Sequence, residues 1–514
     1  MSGTSFRDSL IVILDTGRSS IRAGLGLHDL LKPPSIEILA RVGLPKSLGT
    51  SSIDESAPDV DTQEGSSTSK PRSPPSVQNA KTTDYLVGTQ LDDALAAGQD
   101  LAIYWPFATG DISDWVQAEA LWKYCLFTAL HLRRLQMESP VLLTLPSGFS
   151  RDAYERVCQL FFERLNVAAF GVLERPTAQF YAALTASSQL SGVIVDVDLE
   201  WTDITPIYDG FVLGGARTSV NVGMDDCKRY LAGLLRSNQT VMAALAEPGE
   251  GAPPPPADDV AQQAALEEFA LQLWAEDHIK VLTEGEAGAA REAVELDANG
   301  DINIAAIVVA GREKAVIESG MRKKAARGNA AEQAKAREIE AKDLVEVQWR
   351  GKTVTVGKER HRFCEPLFDL AARGRKGKGK AKLPDLPLQV ALGEAVSRAE
   401  VDQRSYMWQG LFVTGEITKH VRGLGAALQT RLNAYMVFSA DQLNEVQPRV
   451  IRTLKIPEYF AEYREKGDGL ASFLGASIVA KIAFNDSAGK NFVSKTDYAS
   501  QGPRAVLGMS PSLL

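Results

Sequence analysis

The feature that most constrains this chain is its opening, SLIVILDTGRSSIRAGLG over residues 9–26. An apolar run from Leu10 to Leu14 ends at Asp15, a glycine-containing turn follows, and a second run alternates less cleanly. This pattern predicts a buried strand, a tight turn and a returning strand. It excludes the strand-then-helix opening of a dinucleotide-binding unit.

The rest of the chain alternates the same ingredients. Helical spacing runs over 115–133, a compact strand over Pro140–Leu145, and further helices over Asp152–Leu165 and Thr177–Ser187. Two strands around an acidic turn span Gly192–Tyr208, and a hairpin turning at Arg350-Gly351 is predicted within 345–368. Strands alternating with helices imply an α/β architecture. At 514 residues the chain exceeds the size at which one core stops growing, so two lobes are expected.

Three stretches read as insertions. Residues 49–82 are rich in Ser, Pro and Asp, 247–258 contain a four-proline run, and Arg373–Lys382 interleaves lysine with glycine. None carries enough apolar surface to repay ordering. The stretch 312–342, dense in Ala, Lys, Arg and Glu, predicts a solvated helix. Cys125, Cys158, Cys227 and Cys364 are far apart and the five histidines are scattered, which argues against a metal site or a disulfide framework. A formal net charge of -9 leaves only local tracts such as Arg373–Lys382 for weak contact with nucleic acid, and no apolar stretch is long enough for a membrane span.

Five blocks, in order, carry a family resemblance: LDTGRSSIRAGLG from Leu14, YWPFATGDISDWVQAEALW from Tyr104 together with SPVLLTLPSGFSRDAYERVCQLFFE from Ser139, GVIVDVDLEWTDITPIYDG from Gly192, KTVTVGKERHRFCEPLF from Lys352, and LASFLGASIVAKI with VSKTDYASQGP near the C-terminus. They resemble the actin superfamily. The opening block and ERPTAQFYAAL further resemble actin-related subunits of fungal SWI/SNF- and RSC-class chromatin remodellers. The resemblance implies the two-lobed actin, Hsp70 and sugar-kinase fold of duplicated ribonuclease-H-like α/β domains. Residues 1–186 and 471–514 would form the large lobe and 187–470 the small lobe, with insertions at about 49–82, 247–258, 285–342 and 373–382.

The resemblance also places an ATP and magnesium site between the lobes. Asp15, Gly17 and Arg22 match the family's metal-side acid, first phosphate-loop glycine and phosphate-facing cation; Asp196 and Gly415 match positions in the second phosphate loop and the nucleoside-side loop. The departures are heavier. Arg18 and Ser19 replace a small hydroxyl residue and a glycine, and Asp198 and Glu200 replace both glycines of the second loop. The catalytic glutamine falls near Glu174 or Arg175, the catalytic histidine at Asp203, and Glu416 replaces a glycine beside Gly415. Phosphate loops use glycine because side chains block the approach of phosphate to backbone N–H groups. The expectation is therefore a chain with no cofactor and no ATPase activity, with an active or nucleotide-switched ATPase as the alternative. Asp15 and Asp196, at the ends of buried strands, read rather as acids that cap turns and hold the two lobes' sheets together than as metal ligands.

With the cleft inert, function falls to surfaces. In the family a lower groove accepts a partner helix; the matching positions are Tyr181, Gly210, Leu474, Ile478, Val479 and Ile482. The spacing of Ile478, Val479 and Ile482 equally fits a core helix. The implied role is a nuclear structural subunit that pairs with another actin-related protein and clasps a helix of a remodelling ATPase.

Overall fold

The computed structural model describes residues 6–27, 31–46, 80–185, 189–249, 251–281, 343–374, 385–435, 450–486 and 491–510. The expected helix over 312–342 and most of the insertion at 49–82 lie outside them.

Two main sheets organise the molecule. The first has strand order β16-β8-β7-β1-β2-β3, formed by β1 (Val12–Thr16), β2 (Ser20–Leu25), β3 (Ile36–Leu39), β7 (Pro140–Leu145), β8 (Ala169–Glu174) and β16 (Val493–Ser494). The predicted strand-turn-strand is present, with β1 antiparallel to β2 from Val12 opposite Leu25 to Thr16 opposite Ile21. On its other side β1 runs parallel to β7, and β7 parallel to β8. Strands flanked on both sides are near-continuous apolar runs, and β1 and β7 are buried throughout.

The second sheet joins β9 (Gly192–Val197), β10 (Thr202–Tyr208), β11 (Phe211–Val212), β12 (Thr218–Val220) and β15 (Leu411–Thr414). It repeats the logic of the first: β9 pairs antiparallel with β10 and parallel with β15. A small sheet of β4 (Val42–Pro45), β5 (Leu86–Val87) and β6 (Leu101–Tyr104) and the hairpin of β13 (Val345–Trp349) and β14 (Lys352–Val356) complete the strands. The hairpin turns where predicted, with Arg350 and Gly351 both at positive φ, 49° and 72°, as a two-residue turn between right-twisted strands requires.

Each sheet has its own apolar core, and a third cluster joins them. That joining cluster centres on two helices, Arg175–Ala183 and Ala471–Asn485, and includes Ile13 of β1 and Ile194 of β9. The two cores are thus tied below the cleft by one helix crossing.

Several expectations need correction. The helix expected over Thr177–Ser187 spans Arg175–Ala183, with Pro176 in its first turn, where its missing N–H costs nothing. The stretch 247–258 is anchored rather than loose: Gly249 donates to Arg350 O, and Asp258 caps the helix Asp259–Ala275. Arg373, expected to begin a basic linker, is buried, donates to Pro366 O at 2.8 Å and pairs with Asp385. It has no freedom to meet a phosphate. Residues 375–384 lie outside the described residues.

Candidate functional site

The C-terminal ends of β1, β9 and β15 converge on a cleft between the two main sheets. Asp15 in β1 is fully buried and accepts hydrogen bonds from Thr144 of β7 (2.6 Å) and Ser472 (2.7 Å), with Arg22 at 3.4 Å and Arg175 at 3.5 Å. Burial alone would raise its pKa. The Arg175 and Arg22 guanidinium groups and the two hydroxyls outweigh it, and the carboxyl is held below the ordinary carboxylate range.

Arg22 departs from its expected role. Instead of facing a phosphate, its buried guanidinium pairs with Glu37 of β3 (2.9 Å), Glu416 (3.0 Å) and Asp15. Glu416, where the family has a glycine, thus reaches from the second sheet to the first. Lys419 binds the same two acids, at 2.5 Å to Glu37 and 2.6 Å to Glu416. Glu37 is correspondingly lowered to about 2: burial opposes ionisation, and Arg22 and Lys419 overcome it.

The first loop crosses the cleft at two further points. Arg18 makes a two-pronged contact to Asp203 of β10, with Nε and Nη2 each at 2.8 Å, and donates to Ala108 O at 3.1 Å. Asp203 stands where the family's histidine is expected, so an ion pair spans the position of the water-orienting group. Ser19 donates to Asp198. Asp198 is buried, and burial together with neighbouring Asp196 raises its pKa. Glu200, the other acid expected to crowd the second loop, is exposed and takes no part.

Arg175 is the residue that sequence reasoning undervalued. It opens its helix directly after β8, and its buried side chain turns back onto the first loop. A Cβ added at Gly17 would overlap Arg175 Nη1 and lie 3.2 Å from Cζ. Nη1 also stands 3.7 Å from Asp196 of β9. Gln179, one turn along the same helix, donates to Asp196 at 2.6 Å. Gly415 (φ 106°) packs against the same acid, with Asp196 Oδ1 2.5 Å from an added Cβ. Gly17 and Gly415 therefore keep their backbones bare toward groups of this chain.

At the far end of the cleft, Trp274 donates its indole N–H to Ile417 O at 3.1 Å and packs edge-on against His420. Trp274, in the last turn of the helix Asp259–Ala275, thus braces the 415–420 loop. No cluster of metal-ligating side chains occurs among the described residues.

The expected partner groove divides. Leu474 and Val479 are buried in the cluster that joins the sheets, so they serve the core. Tyr181, Ile478 and Gly210 are half-buried, and Ile482 is 62% exposed. Phe211 beside Gly210 is 56% exposed, an apolar neighbour that sequence reasoning missed.

A sequence model of the actin family matches residues 7–255. The chain is 26% identical to the SWI/SNF and RSC complexes subunit arp9 of Schizosaccharomyces pombe, over 98% of its own length and 99% of that protein. It is 29% identical to centractin of the same yeast over 32% of the chain and 41% of centractin. It is 28% identical to actin-related protein 3 of Oryza sativa subsp. indica over 35% of the chain and 40% of the relative. Paired sheets around a central cleft, the actin-family match over residues 7–255 and the end-to-end similarity to an actin-related subunit together identify an actin-family domain in this chain and liken the whole of it to actin-related proteins.

Proposed function

We propose that this chain is a non-catalytic structural subunit of a nuclear chromatin-remodelling complex of the SWI/SNF or RSC class. It pairs there with another actin-related protein and holds a helix of the remodelling ATPase. The observation that carries this reading is the end-to-end correspondence with arp9, over 98% of this chain and 99% of that protein.

The cleft supports the non-catalytic half of the proposal. A nucleotide's phosphates need the bare backbone of both glycine loops, with acids only where a metal stands between them and the phosphate. Gly17 is instead covered by Arg175, Arg18 is committed to Asp203, and the second loop presents Asp196 and Asp198. These residues do not fit a triphosphate with its metal. ATP turnover by the purified protein is expected to stay at background in the presence of magnesium. Turnover abolished by Asp15→Ala would overturn the reading in favour of an ATPase.

The exposed end of the C-terminal helix supports the binding half. Ile482, with half-buried Ile478 and Tyr181, offers an apolar edge of the kind an amphipathic helix covers. Because Ile482 is mostly exposed, Ile482→Asp should leave the fold intact while weakening capture of the remodeller's helical segment by about tenfold or more, as loss of an interface anchor does. Co-purification from nuclear extract, with and without this substitution, measures both the complex and the surface; unchanged capture would remove this edge as the docking site.

A further inference from the structure

We propose that the cleft is clasped by the chain's own cations, with the Arg175 guanidinium standing between Asp15 and Asp196 where the family holds a metal-bound phosphate chain. The proposal rests on the non-catalytic reading of the cleft and extends it, since the residues that exclude a ligand also perform its bracing work.

Gly17 carries the first part of the argument. Its lack of a side chain is what a phosphate loop requires, yet the group lying on it is Arg175, whose Nη1 would overlap a Cβ built there. The glycine is retained for an internal ligand. The carboxylates carry the second part. Asp15 belongs to the first sheet and Asp196 to the second, and one guanidinium lies 3.5 Å from the former and 3.7 Å from the latter. Without a cation between them, a buried and a half-buried carboxylate would push the sheets apart. Both contacts are longer than hydrogen bonds, and Arg175 Nε and Asp196 Oδ1 have no hydrogen-bond partner among the described residues. Arg175 therefore acts chiefly as a buried positive charge, the role a metal ion would have.

The arrangement is repeated along the cleft. Arg18 lies over Gly110, where an added Cβ would meet its Nη1 at 2.6 Å, and pairs with Asp203 across the gap. Arg217, between β11 and β12, covers Gly148 after β7 in the same manner. Arg22 reaches Glu416, and Lys419 returns to Glu37. Four arginines and a lysine thus join the sheets at successive levels, three of them seated on glycines.

Thermal unfolding of the full-length protein tests this in magnesium-free buffer and with magnesium chloride, magnesium ATP or millimolar guanidinium chloride added. Wild type should melt at one temperature in all four. Arg175→Gln should melt lower by on the order of 5–10 °C and recover part of the loss with magnesium or guanidinium, but not with sodium at matched ionic strength. Adding Asp196→Asn to Arg175→Gln removes the orphaned acid, so the double variant should be more stable than the single one; if the single variant does not fold, folding of the double variant decides the same point. Three results would overturn the clasp: wild type stabilised by magnesium or magnesium ATP, Arg175→Gln as stable as wild type, or a double variant no better than the single. Wild type that is stabilised by magnesium ATP without hydrolysing it would remove the clasp and leave the scaffold role standing.

Discussion

Gly475→Ala is expected to destabilise the protein by at least about 2 kcal/mol, although alanine is the better helix former by ~1 kcal/mol. Gly475 sits inside the helix Ala471–Asn485 where it crosses the helix Arg175–Ala183. A Cβ there would overlap Ala178 O and lie 2.5 Å from its carbonyl carbon. The obstacle is backbone, so no rotamer change relieves it and the helices must separate. Separation would also move Ser472 from Asp15 and Arg175 from Gly17, which links this crossing to the cleft. Gly233 in the helix Met224–Leu235 supplies the control: a Cβ there meets nothing within 4 Å. Gly233→Ala should be neutral or stabilising by up to ~1 kcal/mol. Urea unfolding of both variants reads the difference, and equal effects would mean that close packing at the crossing does not govern stability.

The same crossing shows what a sequence reveals and what it withholds. The strand Pro140–Leu145 was legible to the residue because its apolar run is bounded by a proline and followed by one, and the pair within Gly192–Tyr208 was legible by its outer ends and its acidic turn. The helix at 471–485 was legible as a helix, but not the use of its faces. It is buried almost all round, so apolar spacing could not separate core Leu474 and Val479 from exposed Ile482. Its start at Ala471 carries no polar cap to mark it.

The site was half legible. Asp15, Gly17, Asp196 and Gly415 do meet at one cleft, and the replacements Arg18, Asp203 and Glu416 do face it. The partners of the arginines were not legible, since an arginine's reach carries no periodic signal. Arg22 follows an alternating strand pattern whether it serves a phosphate or three carboxylates. One signal was available: Asp15, Asp196, Asp198 and Glu416 together leave a buried cleft strongly negative, which demands internal cations. Arg175, one of the two residues at the place of the catalytic glutamine, was the cation nearest to hand. Glu200 was counted among those acids, but the turn between β9 and β10 points it to solvent.

Asp15→Ala is expected to cost about 3–5 kcal/mol, the loss typical of removing one partner from a buried ion pair. Arg22 and Arg175 would then face each other without their shared carboxylate, and Thr144 and Ser472 would each lose an acceptor. The pH dependence gives this an independent signature. Asp15 titrates below its ordinary value of 3.8 in the folded protein, so its contribution is present above that pH and is lost as pH falls through the folded value. Glu37, lowered from 4.5 to about 2, acts in the same direction over that window, although its exposed side chain is screened by solvent. Asp198, raised by burial and by Asp196, acts in the opposite sense: its protonation on acidification favours the folded state. Stability should therefore hold on mild acidification and fall steeply below about pH 4, as the low-pKa acids accept protons. Asp15→Asn keeps the shape but removes the titration, and should show a shallower acid limb than wild type in urea melts across pH. An unchanged limb would mean that Asp15 is neutral in the folded protein, and the charge balance on which the cleft depends would have to be assigned to other groups.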